Sequence, residues 1–485
     1  MKKFYITTAI DYVNSDPHVG HAYEKIVADV FARWHRLNGD DVFFLTGTDD
    51  NASKNEEAAK KAKIPVKQFV DKNAKKFQNL CKVLYISNDD FIRTTEERHV
   101  KVAKEIFEKA YKKGDIYKGN YEGLYCKGCE AFYTEKDLIN GKCPEHNVEP
   151  EFLKEESYFL KLSKYKKEII RLIKQQKLIF PEQWRNEILS RLEKEDTKDL
   201  SVTRRNRSWG IKCPIDEKHV IYVWYDALIN YYSATRSKGK EKYWPADVHL
   251  IGKGINWFHS VIWPAILFSA EIEQPRKILV HGYITVNGQK IGKSLGNVID
   301  PINLVEKYGV DQLRYFLIRE IPFGEDGDFS EEALKARINN ELANDLGNLV
   351  SRVLTLVEKN FKILKKADLD KGLVSQLNLN KIENDFENFG LNNALNEIWR
   401  FINEVNKHIN KEKVWELKGK ELEKHLYTLV ESIRIISLLL SPFIPNTSDK
   451  INNQLGIKLG GLKDCKFGIV KEYKIIKGEV LFKKV

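Results

Sequence analysis

The 485-residue sequence predicts an α/β protein in which a doubly wound parallel sheet is followed by an all-α helical bundle. Three features of the chain predict this. FYITTAI reads as a buried strand, the Gly- and Pro-containing turn DPHVGH follows it, HAYEKIVADVFARWHRL has helical periodicity, and DVFFLTGTD reads as a second strand. A strand–turn–helix–strand unit belongs to a parallel sheet, whose ligands lie at the carboxyl ends of the strands, and DPHVGH and TGTDD both fall at such ends. Sheet-like text resumes with HVIYVWYDALINYYSA and VHLIGKG, then helical FHSVIWPAILFSA and the strand KILVHGYI, completing the second half. Beyond SLGNVIDPINL the chain reads as helical to about residue 460, and amphipathic segments such as LANDLGNLVSRVLTLVEKNF and LNNALNEIWRFINEVNKHI predict a separate bundle.

From about residue 116 the pattern changes to short aromatic and cysteine-containing segments, then to a Lys-rich amphipathic stretch ending near 215, which reads as an insertion. The expected organisation is a first half-sheet over 1–115, the insertion over 116–215, a second half-sheet over 216–280, a loop and stem-contact region over 281–335, and the bundle over 336–485. Apolar runs such as IISLLLSPFIP fall short of a bilayer span, so no membrane segment is expected. Asp11 and two threonines interrupt the apolar part of the N-terminus, which argues against a signal peptide and for the cytoplasm. Six cysteines in so long a chain are no disulfide framework. The 80 basic against 69 acidic residues, net +11, suit a polyanion such as RNA, but Lys-rich sequences also simply solvate helix faces.

Motifs narrow the chemistry. In DPHVGH, His18 and His21 stand three apart across Gly20 where a strand hands over to a helix. They could be metal ligands, although no third ligand is nearby, or plain turn residues, or donors to a phosphate at the helix N-terminus, with Gly20 letting a base approach the backbone. In GQKIGKSLGN, Lys290 and Lys293 flank Gly292 and precede Ser294, either as solvated lysines or as a mobile cationic loop that closes on a triphosphate. Cys126, Cys129, Cys143 and His146 give C-x2-C-x13-C-x2-H, the spacing of a closed tetrahedral and therefore structural Zn2+ site.

Taken in this order, with GTDD between them, the motifs resemble those of the class I aminoacyl-tRNA synthetases: DPHVGH is similar to the HIGH signature and KIGKS to the KMSKS loop. Within that class, TTAIDYVNSDPHVGHAYEKIVADVFARW, YVWYDALINYYSA, HGYITVNGQKIGKSLGNVIDP and YGVDQLRYFLIREIPFGEDGDFSEEAL resemble methionyl-tRNA synthetases. The resemblance implies a Rossmann catalytic domain with a zinc-containing connective insertion. It also implies ATP-dependent activation of L-methionine and transfer to tRNA(Met), including the initiator, with Mg2+ on ATP and one structural Zn2+.

Residue by residue, it assigns ATP to His18, Gly20, His21, Glu24, Lys290, Lys293 and Ser294, with His18, His21, Lys290 and Lys293 catalytic. Methionine falls to Ala9, Ile10, Tyr12, Trp224, Ala227, Leu228, Tyr231, Ile255 and His259, its ammonium to Asp49. Tyr222 and Tyr232, by alternate spacing, point away into the core. Asn344, Asn348 and Arg352, expected at i, i+4 and i+8 on one helix face, and Trp415 in a second helical segment are the anticodon candidates. The chain ends at Val485 soon after the bundle, with no appended oligonucleotide-binding segment, so a monomer is expected.

Three departures stand out. GTDEHG appears as Gly47-Thr48-Asp49-Asp50-Asn51-Ala52; GKD appears as Gly252-Lys253-Gly254, without the carboxylate that in the family lies near the adenylate ribose; and Ile291 and Gly292 replace Met and Ser of KMSKS. They make a catalytically impaired tRNA-binding relative the alternative reading. A nucleotidylyltransferase, the remaining rival, would share the histidine turn but lack the second lysine loop and the bundle.

Overall fold

The computed structural model describes all residues except 130, 134, 146, 206, 287, 292–295 and 477, with backbone only at 121, 131, 132, 136, 153, 155 and 290. Its main sheet has seven strands, all parallel. Across the sheet run Asp90–Arg93, Asp41–Asp49, Lys3–Thr8, Val248–Gly252, Ile278–His281 and Ile179–Phe180, and the two-residue strand Asp11–Tyr12 continues the first strand along Thr48 and Asp49. From Lys3–Thr8 the chain builds outward on one side; on the other, Ile179–Phe180 takes the far edge before Val248–Gly252 and Ile278–His281 fill the space between. The reversal between the neighbours Lys3–Thr8 and Val248–Gly252 opens a crevice at the carboxyl ends of these two strands.

Strand alternation explains the layering. Phe4 and Ile6 enter one core while Tyr5 enters the other; Phe44 opposes Phe43 and Leu45, and Leu250 opposes Ile251 in the same way. The first core does not stop at the sheet. It continues through Val27 and Phe31 of the helix Val19–Leu37 to Leu317, Leu395 and Leu440, so the sheet and the bundle share one apolar interior.

The segment His219–Ser233 departs from expectation. Only His219–Ile221 is a strand, and Val223–Leu228 and Asn230–Ser233 are helical. Inside the inserted segment, a four-stranded antiparallel sheet pairs Ile116–Cys126 with Glu151–Leu160 over ten positions, and Ile179–Phe180 returns to edge the main sheet. Among the described residues no helix is long and apolar enough to cross a membrane.

Candidate active site

A cavity of about 410 Å³ fills the crevice and joins a second, of about 260 Å³, through shared walls at Asp11, His18, His21, Glu24, Gly252 and Tyr283. All ten residues expected around methionine line the larger one: Ala9, Ile10, Tyr12, Asp49, Trp224, Ala227, Leu228, Tyr231, Ile255 and His259. Their convergence follows from the helix at 223–233, since Trp224, Ala227, Leu228 and Tyr231 are spaced i, i+3, i+4 and i+7 and so share one helix face. Tyr222 and Tyr232 are absent from the lining: Tyr232 by that helical period, and Tyr222 because it is the extended residue just before the helix. Tyr222 is buried beneath the Arg204 guanidinium, and Tyr232 packs on Trp244.

The apolar end is rigid. Trp224 stacks on Phe258 at 3.9 Å and 11°, and the edge of Tyr12 meets Trp224. His259 Nδ1 donates to the Ile255 carbonyl at 2.9 Å, which leaves Nε2 to accept from the Tyr231 hydroxyl at 2.7 Å. Burial lowers His259 to about 4, so it is neutral at physiological pH. At the strand end, the buried Asp49 carboxylate accepts from the Asn51 amide at 3.0 Å, and the Lys54 ammonium lies 3.2 Å from the Tyr12 ring centroid at the rim.

The polar end is the histidine turn. His18 is the N-cap of Val19–Leu37: its Nδ1 accepts from the Gly20 amide at 3.1 Å, while His21 Nδ1 accepts from the His18 amide at 3.0 Å. Each neutral ring therefore carries its proton on Nε2. Burial, with Lys25 and Lys54 nearby, lowers His21 to about 3, so it acts as a neutral donor instead of a cation. A Cβ at Gly20 would stand 2.9 Å from His18 Cε1, so glycine also leaves room here for the imidazole cap. Glu24 lines both cavities and its Oε2 lies 3.0 Å from His281 Nε2.

Beneath the turn, fully buried Lys25 is bonded to Asp11, whose carboxylate lies 3.9 Å from His21 Nε2. This pair was not foreseen, because nothing local in the sequence connects positions 11 and 25. The Val19 amide donates to the Ile299 carbonyl at 3.0 Å, tying the helix start to the chain just past the lysine loop. Lys290 lies in the short strand Gln289–Lys290, opposite Thr285. Lys293, Ser294 and Gly292 fall outside the described residues. Ile291 lines the smaller cavity and packs on the main core, an apolar role that suits Ile in place of Met.

The altered GTDDNA segment is fully engaged. Asp50 accepts from Arg93 Nε at 2.7 Å, Thr95 at 2.7 Å and Thr48 at 2.9 Å. Asn51 donates to Asp226 at 2.7 Å, and Asp226 is bonded in turn to His99 at 2.6 Å. Asn51 thus ties the end of the Asp41–Asp49 strand to the helix that carries Trp224.

The sulfurs of Cys126, Cys129 and Cys143 lie within 4.8 Å of one another and could hold a metal ion; His146, their expected fourth partner, is outside the described residues. Burial pushes the Cys129 thiol up, whereas a bound cation would stabilise thiolates, so this sulfur set fits a soft divalent ion. The knuckle also reaches the cavity, which its spacing alone did not reveal: Gly128, Cys129, Tyr133 and Glu145 are part of the lining, and Trp224 Nε1 donates to the Cys129 carbonyl at 3.3 Å.

In the bundle, Ile338–Gly347 is a π-helix that joins the α-helix Asn348–Asn360, so Asn348 and Arg352 keep the expected i, i+4 spacing while Asn344, in the π-helical turn, departs from it. Asn344 is half-buried and Asn348 exposed, while Arg352 donates to Asn410 at 2.8 Å. Trp415 is 51% exposed and sits in a single 3-10 turn, Val414–Glu416, not in a second helix.

Residues 4–150 and 146–354 match the family of class I tRNA synthetases (M), and residues 370–471 match the anticodon-binding domain of tRNA ligases. Fold, crevice and family match together define a class I aminoacyl-tRNA synthetase. The chain is 45% identical over 505 aligned positions to the methionine–tRNA ligase of Caldanaerobacter subterraneus subsp. tengcongensis, covering 100% of this chain and 79% of the relative. It is 44% identical to that of Rickettsia felis, covering 94% and 92%. The Mycobacterium tuberculosis methionyl-tRNA synthetase in complex with methionyl-adenylate matches with a TM-score of 0.96 at 37% identity, over 99% of this chain and 100% of that one. The chain belongs to the methionine–tRNA ligase family.

Proposed function

We propose that this protein ligates methionine to the 3′ end of tRNA(Met), initiator included, in two steps at the crevice. The single observation that carries this reading is the junction of an aromatic pocket with a helix start capped by two neutral imidazoles. The methionine thioether lies against Trp224, Tyr231 and His259, with Asp49 taking the ammonium, and the carboxylate is thereby aimed at the turn. It attacks the α-phosphate of ATP in line, with Mg2+ entering on ATP as part of the substrate, and pyrophosphate leaves. The Nε2–H groups of His18 and His21, together with the positive end of the helix, stabilise charge on the phosphates, each donor contributing on the order of 3 kcal/mol. Lys290 and Lys293 follow the leaving pyrophosphate from their loop. The 2′-hydroxyl of the terminal adenosine then takes the methionyl group.

Cys126, Cys129, Cys143 and His146 hold a structural Zn2+, which fixes the knuckle against Trp224. Asn344, Asn348, Arg352 and Trp415 face the anticodon, where Trp415 offers a stacking surface to an unpaired base. Sequence boundaries at about 115, 215, 280 and 335 divide the chain into half-sheet, insertion, half-sheet, loop region and bundle. We assign the protein to the cytoplasm as a monomer.

Methionine-dependent ATP–pyrophosphate exchange tests the reading. The wild-type chain should exchange, and His21→Ala should do so about 100-fold more slowly with tRNA binding nearly unchanged. An unaltered rate in His21→Ala would refute the phosphate role. tRNA binding without any wild-type exchange would identify the impaired relative instead.

A further inference from the structure

Between the aromatic pocket and the histidine turn, the cavity wall is formed by Gly252, Gly254, Tyr283 and Glu145. Gly252 and Tyr283 line both cavities, so this wall flanks the passage from one to the other. The Tyr283 hydroxyl donates to Glu145 Oε2 at 3.1 Å, joining the segment after Ile278–His281 to the knuckle. Tyr283 is itself held. Its amide donates to Asp326 at 2.7 Å, and the Lys253 ammonium, paired with the same aspartate at 2.7 Å, lies 4.7 Å from its ring centroid.

Position 254 explains the arrangement. A Cβ there would stand 2.1 Å from the Tyr283 hydroxyl and 3.7 Å from Glu145 Oε2. The phenol therefore occupies the space that a side chain at 254 would need, and a carboxylate from a different part of the chain stands at van der Waals distance from it. A carboxylate on this wall repels phosphate and favours donors. In a nucleotide reaching from an aminoacyl group to a helix-capped phosphate, the ribose is the part that offers paired hydroxyl donors, and a carboxylate is their usual partner in nucleotide-binding α/β folds.

We propose that Glu145, oriented by Tyr283, accepts hydrogen bonds from the vicinal ribose hydroxyls of the adenylate, supplying from the knuckle the carboxylate that Gly254 lacks. This rests on the adenylate-forming reading above. It makes Glu145 a binding residue and Tyr283 a positioning residue.

The test compares ATP with 2′-deoxyATP and 3′-deoxyATP in pyrophosphate exchange, using full-length wild type, Glu145→Ala and Tyr283→Phe. Wild type should prefer ATP over at least one analogue by about 10- to 100-fold, the range of one hydrogen bond to a charged group. In Glu145→Ala the KM for ATP should rise by a similar factor, the KM for methionine should hold, and the preference should shrink to within about 3-fold. Tyr283→Phe, which keeps the ring, should show a partial loss of the same preference. Full preference retained in Glu145→Ala would overturn the proposal. Calorimetric binding of the three nucleotides without methionine scores the contact independently of turnover, so a wild type that binds ATP selectively but does not exchange would sink the catalytic reading and leave this one standing. Equal binding of all three nucleotides by wild type would overturn it.

Discussion

His259 is hydrogen-bonded through both ring nitrogens, and because Nε2 accepts from Tyr231, a proton added there would break that bond and place a charge in the apolar end of the cavity. Burial, which penalises the charged ring, is what holds its value at about 4, below the usual value for histidine. The consequence for stability has a definite sign. Between about pH 6.5 and pH 4 the unfolded chain binds this proton and the folded chain does not, so acidification through that window should weaken the fold by on the order of 3 kcal/mol from this group. Urea unfolding of wild type and His259→Gln at pH 7 and pH 4.5 would check it, the variant being expected to lose less stability. Identical losses would count against a depressed His259. The motif DPHVGH made the two histidines at positions 18 and 21 legible, yet not the charge state of His21, whose neutrality comes from burial and from Lys25 and Lys54, which the fold brings near.

At the scale of elements, the first helix and its cap behave as one unit. Gly20→Ala would press a methyl group against the His18 ring, so the first turn should lose about 1 kcal/mol of capping and exchange should fall at least tenfold, with the KM for methionine unchanged. A fully active Gly20→Ala would show that the cap tolerates the added methyl. The sequence contained the helical stripe Trp224, Ala227, Leu228 and Tyr231 in plain view, but aromatic and β-branched density in HVIYVWYDALINYYSA made it read as sheet-like. Tertiary packing around Trp263 and His249 overrode that propensity. The parallel strands were legible as apolar runs closing on turn residues. Glu145 and Tyr283, 138 positions apart, had no common signal, since only the insertion's folding brings them together.

Across the whole molecule, one buried side chain joins three regions. The Arg314 guanidinium pairs with Asp29 of the first helix at 2.7 Å and donates to the Leu84 carbonyl at 3.1 Å and to the Pro442 and Phe443 carbonyls of the bundle, each at 2.9 Å. Neither Arg314 nor Asp29 is exposed, so Arg314→Ala should destabilise the protein by about 3–5 kcal/mol by leaving a charge buried without its partner. Calorimetry should then show the transition of this shared interior at lower temperature, whereas an unshifted transition would show that the contact matters little. The pairing spans 285 positions and could not be read from the chain beforehand. On the proposed reading, in which a tRNA reaches from the crevice to Trp415, the apolar interior shared by sheet and bundle has a further effect. Because one packed apolar interior spans both, the separation of those two ends is set by packing, and on that reading the protein works as a caliper: a nucleic acid of the wrong span should be rejected on its dimensions before any of its bases is read.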